Sequence, residues 1–118
     1  MPVLPTTSFS PETILGKVAT GKPYTRVLLK TGPCQPAEEE RDRLQMGHLA
    51  HLFTLESKGK LHVFGPVQQD AVLQGLLVFA LTEPGAVSTA MEADPRVQAG
   101  LFTWEAFPFF SIPGQRLV

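Results

Sequence analysis

The chain has 118 residues and is 43% hydrophobic, which is enough for the core of one domain. Its net charge is −1, and its lysines and arginines are scattered, which argues against a nucleic acid partner because phosphate contacts need concentrated positive charge. No apolar run reaches the roughly 18 residues of a membrane span, and the single cysteine, Cys34, excludes an internal disulfide and a thiolate-rich metal site.

Residues 1–23 form a leader that is rich in Pro, Thr, Ser and Gly. The leader lacks the basic head and apolar stretch of a signal peptide, so we expect a cytoplasmic protein. Ser10-Pro11-Glu12 is typical of a helix start, with Ser10 as the N-cap. We therefore expect one short amphipathic helix before Gly21.

The main domain is expected over residues 24–110 and begins with a strand and a long helix. The strand, Tyr24–Lys30, is stopped by a Thr-Gly-Pro turn. Cys34 follows as an ordinary loop cysteine. The helix opens at residues 35–37, carries three glutamates where negative charge suits the helix dipole, and runs to about Ser57 before Gly59.

A hairpin, a second helix and a last strand complete the domain, and residues 111–118 form a tail. The turn at residues 68–70 separates the two hairpin strands, and Asp94-Pro95 breaks the helical region in two. The predicted elements are strands Lys60–Val67 and Val72–Leu81, a helix from Glu83 to about Glu92 or Ala93, a helical turn Arg96–Ala99, and strand Leu101–Phe109.

The predicted order is β-α-β-β-α-β, which is the ferredoxin-like α+β plan with an antiparallel sheet and both helices on one face. A sheet with one solvated face should alternate between apolar and polar residues. The third and fourth strands are instead apolar at nearly every position. We therefore predict a homodimer in which the free faces of two sheets pack together.

The long helix carries two histidines, His48 and His51. Helical spacing places His48 within a broad leucine-rich face and His51 near its rim. A buried imidazole needs a hydrogen-bond partner, and it serves either as a structural residue or as an acid or base near neutral pH. The i, i+3 spacing also suits a metal ion, but no third ligand follows at a telling spacing, so no metal site is predicted.

Two positions on the second predicted strand have alternative roles. His62 is expected at the surface or an interface, facing away from Val63 because strand residues alternate. Gly65, within Phe64-Gly65-Pro66, allows a ligand or another strand to approach the backbone, although a strand end or bulge would also explain a glycine here.

Asp94 has a structural and a functional interpretation. Because Pro95 biases it away from helical geometry, its carboxylate could cap the amides of Val97 and Gln98. A carboxylate could also orient a histidine or share a proton with it, provided that the two side chains lie close together in space.

Five short motifs, in this order, resemble the YciI-like (YCII-related) family over about Tyr24 to Phe109. The resemblance implies a dimeric α+β barrel with a cleft in which a histidine and an aspartate act as an acid–base pair. By position these would be His48 and Asp94, while Gly65 and Pro66 match the family's Gly-Pro pair and His51 matches no functional position. The motifs are His48-Leu49-Ala50-His51-Leu52, Gly59-Lys60-Leu61, Gly65-Pro66, Asp94-Pro95 and Ala99-Gly100-Leu101-Phe102.

The leading hypothesis is a cofactor-free enzyme, either a dehydrochlorinase-like lyase or an isomerase, that acts on a small cyclic or aromatic molecule. His48 would move a proton, Asp94 would orient it, and residues 64–66 would line the cleft. Elimination and isomerisation both need little beyond one positioned proton carrier, which suits so sparse a site. The resemblance implies the fold more than the reaction, since one branch resembles dehydrochlorinases and the wider fold includes muconolactone isomerases and cofactor-independent monooxygenases. The alternatives are a non-catalytic dimeric module for a small ligand or a protein, and an oxygen-using monooxygenase of the same fold.

Overall fold

In the computed structural model, which describes residues 8–118, the elements follow the predicted order along the chain. The strands are β1 (Lys22–Thr31), β2 (Leu61–Pro66), β3 (Leu73–Phe79) and β4 (Phe102–Ser111). The helices are α1 (Pro11–Ala19), α2 (Arg41–Ser57), α3 (Pro84–Glu92) and α4 (Pro95–Gln98), with a 3₁₀ turn (Glu38–Glu40) before α2. Residues 1–7 of the predicted leader lie outside the described residues.

The chain divides into two compact units. One unit is Pro23–Phe109, and the other joins the segment up to Lys22 with Phe110–Val118. In the latter, the predicted start of α1 is confirmed, because the Ser10 side chain accepts a hydrogen bond from the Thr13 amide at 3.2 Å. Every helix within residues 8–118 is too short or too polar to span a bilayer.

The sheet has the strand order β2-β3-β1-β4, and the predicted ferredoxin-like α+β fold is confirmed. Strand β3 pairs antiparallel with both β1 and β2. In these ladders Leu77 lies opposite Val27 on one side and Phe64 on the other. The side chains of one sheet face therefore meet at the middle of β3.

The core lies between this inner face of the sheet and the helices. Val27 and Phe79 are 0% exposed and Leu77 is 1% exposed, so the inner face is sealed from water. The helices α2 and α3 supply the opposing apolar layer, with Leu52, Leu55, Val87, Ala90 and Met91. This packing fixes α2 over the sheet.

The outer face of the sheet is also largely apolar. Arg26 and Leu28 alternate with the core residues of β1 and lie opposite Val78 and Leu76 of β3. The Arg26 guanidinium lies over the Phe107 ring, with its carbon 5.3 Å from the ring centroid. This face is the surface for which the sequence predicted a partner subunit.

Two local predictions differ from the structure. The helix predicted to open at residues 35–37 does not start there, because Ala37 is extended. The glutamates at 38–40 form a 3₁₀ turn, and α2 begins only at Arg41. The alternation expected across His62 is interrupted, because the register of β2 against β3 shifts between Leu61 and Val63. The His62 ring is exposed and contacts Tyr24 edge-on at 5.6 Å.

Candidate functional site

A cleft of about 300 Å³ lies within the unit Pro23–Phe109, between α2, α4 and the sheet. A volume of this size is at the lower end of the range for small-molecule sites. Most of its wall is apolar and comes from Leu29, Leu49, Leu52, Phe64, Leu77 and Phe102. Its polar side chains are Gln45, His48, Gln74 and Arg96.

His48 projects from α2 towards this cleft and is 8% exposed, so its predicted position on the buried helix face is confirmed. Its Nδ1 lies 2.6 Å from Oδ2 of Asp94. Its ring meets the Phe102 ring edge-on, with centroids 5.5 Å apart. Two neighbours thus fix the plane of the imidazole.

Asp94 lies at the start of α4 and is 0% exposed. Its Oδ1 accepts a hydrogen bond from the Arg96 amide at 2.9 Å, so it does cap α4. The predicted cap targets, Val97 and Gln98, are wrong. Because α4 begins at Pro95, the first amide within reach of the carboxylate belongs to Arg96.

The carboxylate therefore accepts two hydrogen bonds, one at each oxygen. An ionised carboxylate can only accept, so the bond to His48 assigns the hydrogen to Nδ1 of the imidazole. In the neutral imidazole, Nε2 then carries a lone pair. Within residues 8–118 no hydrogen-bond partner for Nε2 is found. This arrangement suits a general base that faces the cleft.

The second histidine of α2 lies outside the cleft. His51 Nε2 donates to the Ala90 carbonyl oxygen at 2.7 Å and so connects α2 to α3. Among residues 8–118, no group of three or more His, Cys, Asp or Glu side chains is placed to hold a metal ion.

The other sequence-predicted residues, Phe64, Gly65 and Pro66, line the same cleft as His48. The Phe64 ring packs against Phe53 at 5.3 Å. At Gly65 no other strand makes the close approach that was one of the two expectations, because a Cβ there would meet no protein atom within 4 Å among the described residues. At Gly75 a Cβ would lie 3.2 Å from the Leu29 side chain and 3.4 Å from the Gly65 carbonyl oxygen.

Three polar cleft residues, Gln45, Gln74 and Arg96, were not predicted from the sequence. The Arg96 guanidinium lies over the Phe102 ring, 4.5 Å from its centroid, and donates from Nη1 to Gln45 Oε1. Burial lowers the pKa of Arg96, Asp94 opposes this shift and Arg41 adds to it. One signal was available, because Gln45 precedes His48 by three residues and so shares its helix face.

Comparison with known proteins identifies the fold family. The model of the YCII-related domain matches residues 25–109. The chain belongs to this family. The predicted resemblance is therefore confirmed, with nearly the same boundaries as the motifs indicated.

Individual relatives add less. No curated protein matches the chain. One similar solved structure is the 5-chloro-2-hydroxyhydroquinone dehydrochlorinase TftG from Burkholderia phenoliruptrix, in complex with 2,5-dihydroxybenzoquinone. It is 23% identical, with a TM-score of 0.48, and the match covers 71% of this chain and 90% of that chain.

Proposed function

We propose that this YCII-family protein is a cofactor-independent enzyme that transfers a proton on a small cyclic or aromatic molecule, in an elimination or an isomerisation. His48 is the proton carrier, and Asp94 holds it in the required tautomer. Phe64, Gly65 and Pro66 form one wall of the substrate cleft.

The observation that carries this proposal is the buried hydrogen bond between His48 Nδ1 and Asp94 Oδ2, beside a cleft that His48 lines. A carboxylate on one ring nitrogen orients the imidazole and stabilises its cationic form, while the other nitrogen meets the substrate. Phe64 and Phe102 both line the cleft, and their apolar side chains suit an apolar ring of a ligand.

The chemical step needs only these groups. A carbon–hydrogen bond of the substrate breaks, and the proton moves to Nε2 of His48. In an elimination, the electron pair left behind forms a double bond to the neighbouring carbon, whose leaving group departs with its own electron pair. In an isomerisation, the electron pair forms a double bond, the existing double bond shifts, and the carbon at its far end takes the proton back from Nε2 of His48. Positioned acid–base catalysis of this kind contributes about 10²–10⁴-fold to the rate.

The test follows a panel of hydroxylated and chlorinated aromatics, lactones and cyclic enones in deuterated buffer by proton NMR. We expect the wild-type protein to exchange, eliminate or rearrange at least one compound. His48→Ala should lose about 10²–10⁴-fold of that rate. His51→Ala is the matched control, because it removes the other histidine of the same helix without entering the cleft.

The opposing candidate is a non-catalytic binding module, in which His48 and Asp94 only hold α4 against α2. The burial of Asp94 and its cap on α4 are the observations that favour it. In that case His48→Ala would lower the stability of the fold. Its ligand binding, and any turnover, would equal those of His51→Ala once the two variants are compared at the same loss of stability. Such a result would refute the catalytic assignment.

A homodimer is part of the same proposal, with the outer face of the sheet as its interface. Leu76 is 36% exposed at the centre of this face, beside Leu28 and Val78. Exposed apolar area of this kind favours a protein partner. Light scattering at micromolar concentration should give twice the chain mass for wild type, and the chain mass for Leu76→Glu. A wild-type monomer would contradict the assembly.

A cytoplasmic location also belongs to this proposal. Cys34 is free and exposed, which suits a reducing compartment. A fluorescent fusion found only outside the cytoplasm would contradict it.

A further inference from the structure

Arg96 lines the cleft, and some of its hydrogen-bond donors have no acceptor among the neighbouring residues. A guanidinium has five N–H donors and no acceptor. Nη1 donates to Gln45, whereas Nε is buried and has no partner within residues 8–118. Because Nε is shielded, a ligand in the cleft would bond to the Nη donors, of which only Nη1 has a hydrogen-bond partner within residues 8–118.

The charge of Arg96 is also unmatched by a direct partner. Asp94 interacts electrostatically with Arg96, but it uses one oxygen for the amide of residue 96 and the other for His48. Within residues 8–118 the Arg96 guanidinium has no ion pair, and the side chains that line the cleft include no Asp or Glu. The part of the cleft at Arg96 therefore suits a negatively charged group.

The guanidinium is held in place before any ligand arrives. Phe102 supports its flat face, and Gln45 fixes its edge. The same Phe102 ring contacts the imidazole of His48. Since both groups contact a single ring and line one cleft, one small molecule can reach them together.

We propose that Arg96 is the anion-binding residue of this cleft and that the ligand carries an anionic oxygen, either a carboxylate or an ionised hydroxyl. This inference rests on the proposed function and adds the class of substrate. Arginine binds such oxygens through two parallel N–H donors, which gives orientation as well as affinity. Arg96 would thereby set which carbon of the substrate faces His48.

The experiment uses benzoate, its neutral counterpart benzamide, and 4-nitrophenol above and below its own pKa. Binding is followed by NMR on labelled full-length protein, at the His48 ring nitrogens and the Arg96 Nε–H signal. We expect benzoate or ionised 4-nitrophenol to bind about 10–100-fold more tightly than the neutral probes. Tighter binding of benzoate would indicate a carboxylate ligand, and tighter binding of ionised 4-nitrophenol would indicate an ionised hydroxyl.

Three variants assign the preference to one side chain. Arg96→Gln should remove the anion preference while neutral probes still bind. Arg96→Lys keeps the charge without the planar fork and should keep only part of the preference. Arg43→Gln is the matched control, because it loses the same charge from an exposed arginine outside the cleft and should behave as wild type.

The outcomes separate this inference from the proposed function. If anions and neutral probes shift the His48 signals with equal affinity, or if Arg96→Gln keeps the anion preference, the inference is overturned while the cleft remains a ligand site. If neither anion moves the Arg96 Nε–H signal of wild type, Arg96 is not an anion-binding residue, whatever compounds are turned over. The wild-type signal decides the matter even if Arg96→Gln fails to fold.

Discussion

Replacing Asp94 by asparagine and by alanine separates the two hydrogen bonds that its carboxylate accepts. The side chain is 0% exposed, with the Arg96 amide 2.9 Å from Oδ1 and His48 Nδ1 2.6 Å from Oδ2. Asparagine has nearly the same shape and is an equally good N-cap, so its carbonyl keeps the bond to the amide. Alanine removes both acceptors.

The two variants should differ in the free energy of unfolding. Alanine loses an N-cap, which contributes about 1 kcal/mol. It also leaves the Nδ1–H of His48 buried without an acceptor, at a cost of about 1–3 kcal/mol. We expect about 3 kcal/mol in all for Asp94→Ala, and about 1 kcal/mol for Asp94→Asn, which loses only the charge-assisted part of one bond. Each kcal/mol lowers the Tm of a domain this size by about 4–8 °C.

Asparagine should nevertheless abolish the base. Its amide donates to Nδ1, so the hydrogen of the neutral imidazole moves to Nε2 and the lone pair no longer faces the cleft. We expect turnover to fall by about 10²–10⁴-fold in a protein that is still folded. Nitrogen NMR of the His48 ring reports the tautomer without a substrate.

Guanidinium unfolding of both variants, with Glu92→Gln as an exposed acid-to-amide control, measures the stability difference. Equal destabilisation by asparagine and alanine would show that neither the cap nor the acceptor for His48 stabilises the fold by the expected amount. Asp94→Asn with its hydrogen still on Nδ1 would refute the tautomer argument.

Three further predictions concern positions around the site. Gly65→Ala should stabilise the protein by about 0.4–1 kcal/mol, because its Cβ would meet nothing within 4 Å. Gly32→Ala should instead cost more than about 2 kcal/mol, because its Cβ would overlap a backbone carbonyl. Denaturant unfolding of both variants tests the contrast. His51→Ala should cost about 1 kcal/mol through its lost bond to Ala90, with no change in ligand binding; weakened binding would place it in the site. The Leu73 and Val72 amides lower the pKa of Asp70 from its ordinary value. The stability that its charge contributes is therefore present above the ordinary carboxyl pKa and is lost as the pH falls through the lowered pKa. The stability difference between wild type and Asp70→Ala should shrink on acidification; a difference that does not depend on pH would contradict the assignment.

The elements could be predicted because their ends carry local signals. Gly59 adopts a φ of +73°, which ends α2 where the sequence indicated. The burial of His48 followed from helical spacing alone, since the inner face of α2 must meet the sheet. Asp94-Pro95 predicted the break between α3 and α4 by the restriction that proline places on the preceding residue.

The polar residues that line the cleft beside His48 could not be predicted in this way. Arg96, Gln45 and Gln74 come from three elements, and only the packing of α4 and β3 around α2 brings them to one cleft. The cap target was missed because it depends on α4 starting at Pro95 rather than one residue later. The bulge at His62 was missed because alternation assumes an uninterrupted ladder.

The position of Asp94 links the folding of α4 to the chemistry proposed for His48. One carboxylate oxygen caps α4, and the other fixes an imidazole on α2, so the tautomer of His48 depends on α4 being docked. The same docking brings Arg96, two residues further on, over Phe102 and into the cleft. The proposed proton carrier and a cation thus both depend on one short helix. Arg96→Gln, which keeps Asp94-Pro95, should therefore leave the tautomer of His48 unchanged while it alters the ligand preference of the cleft.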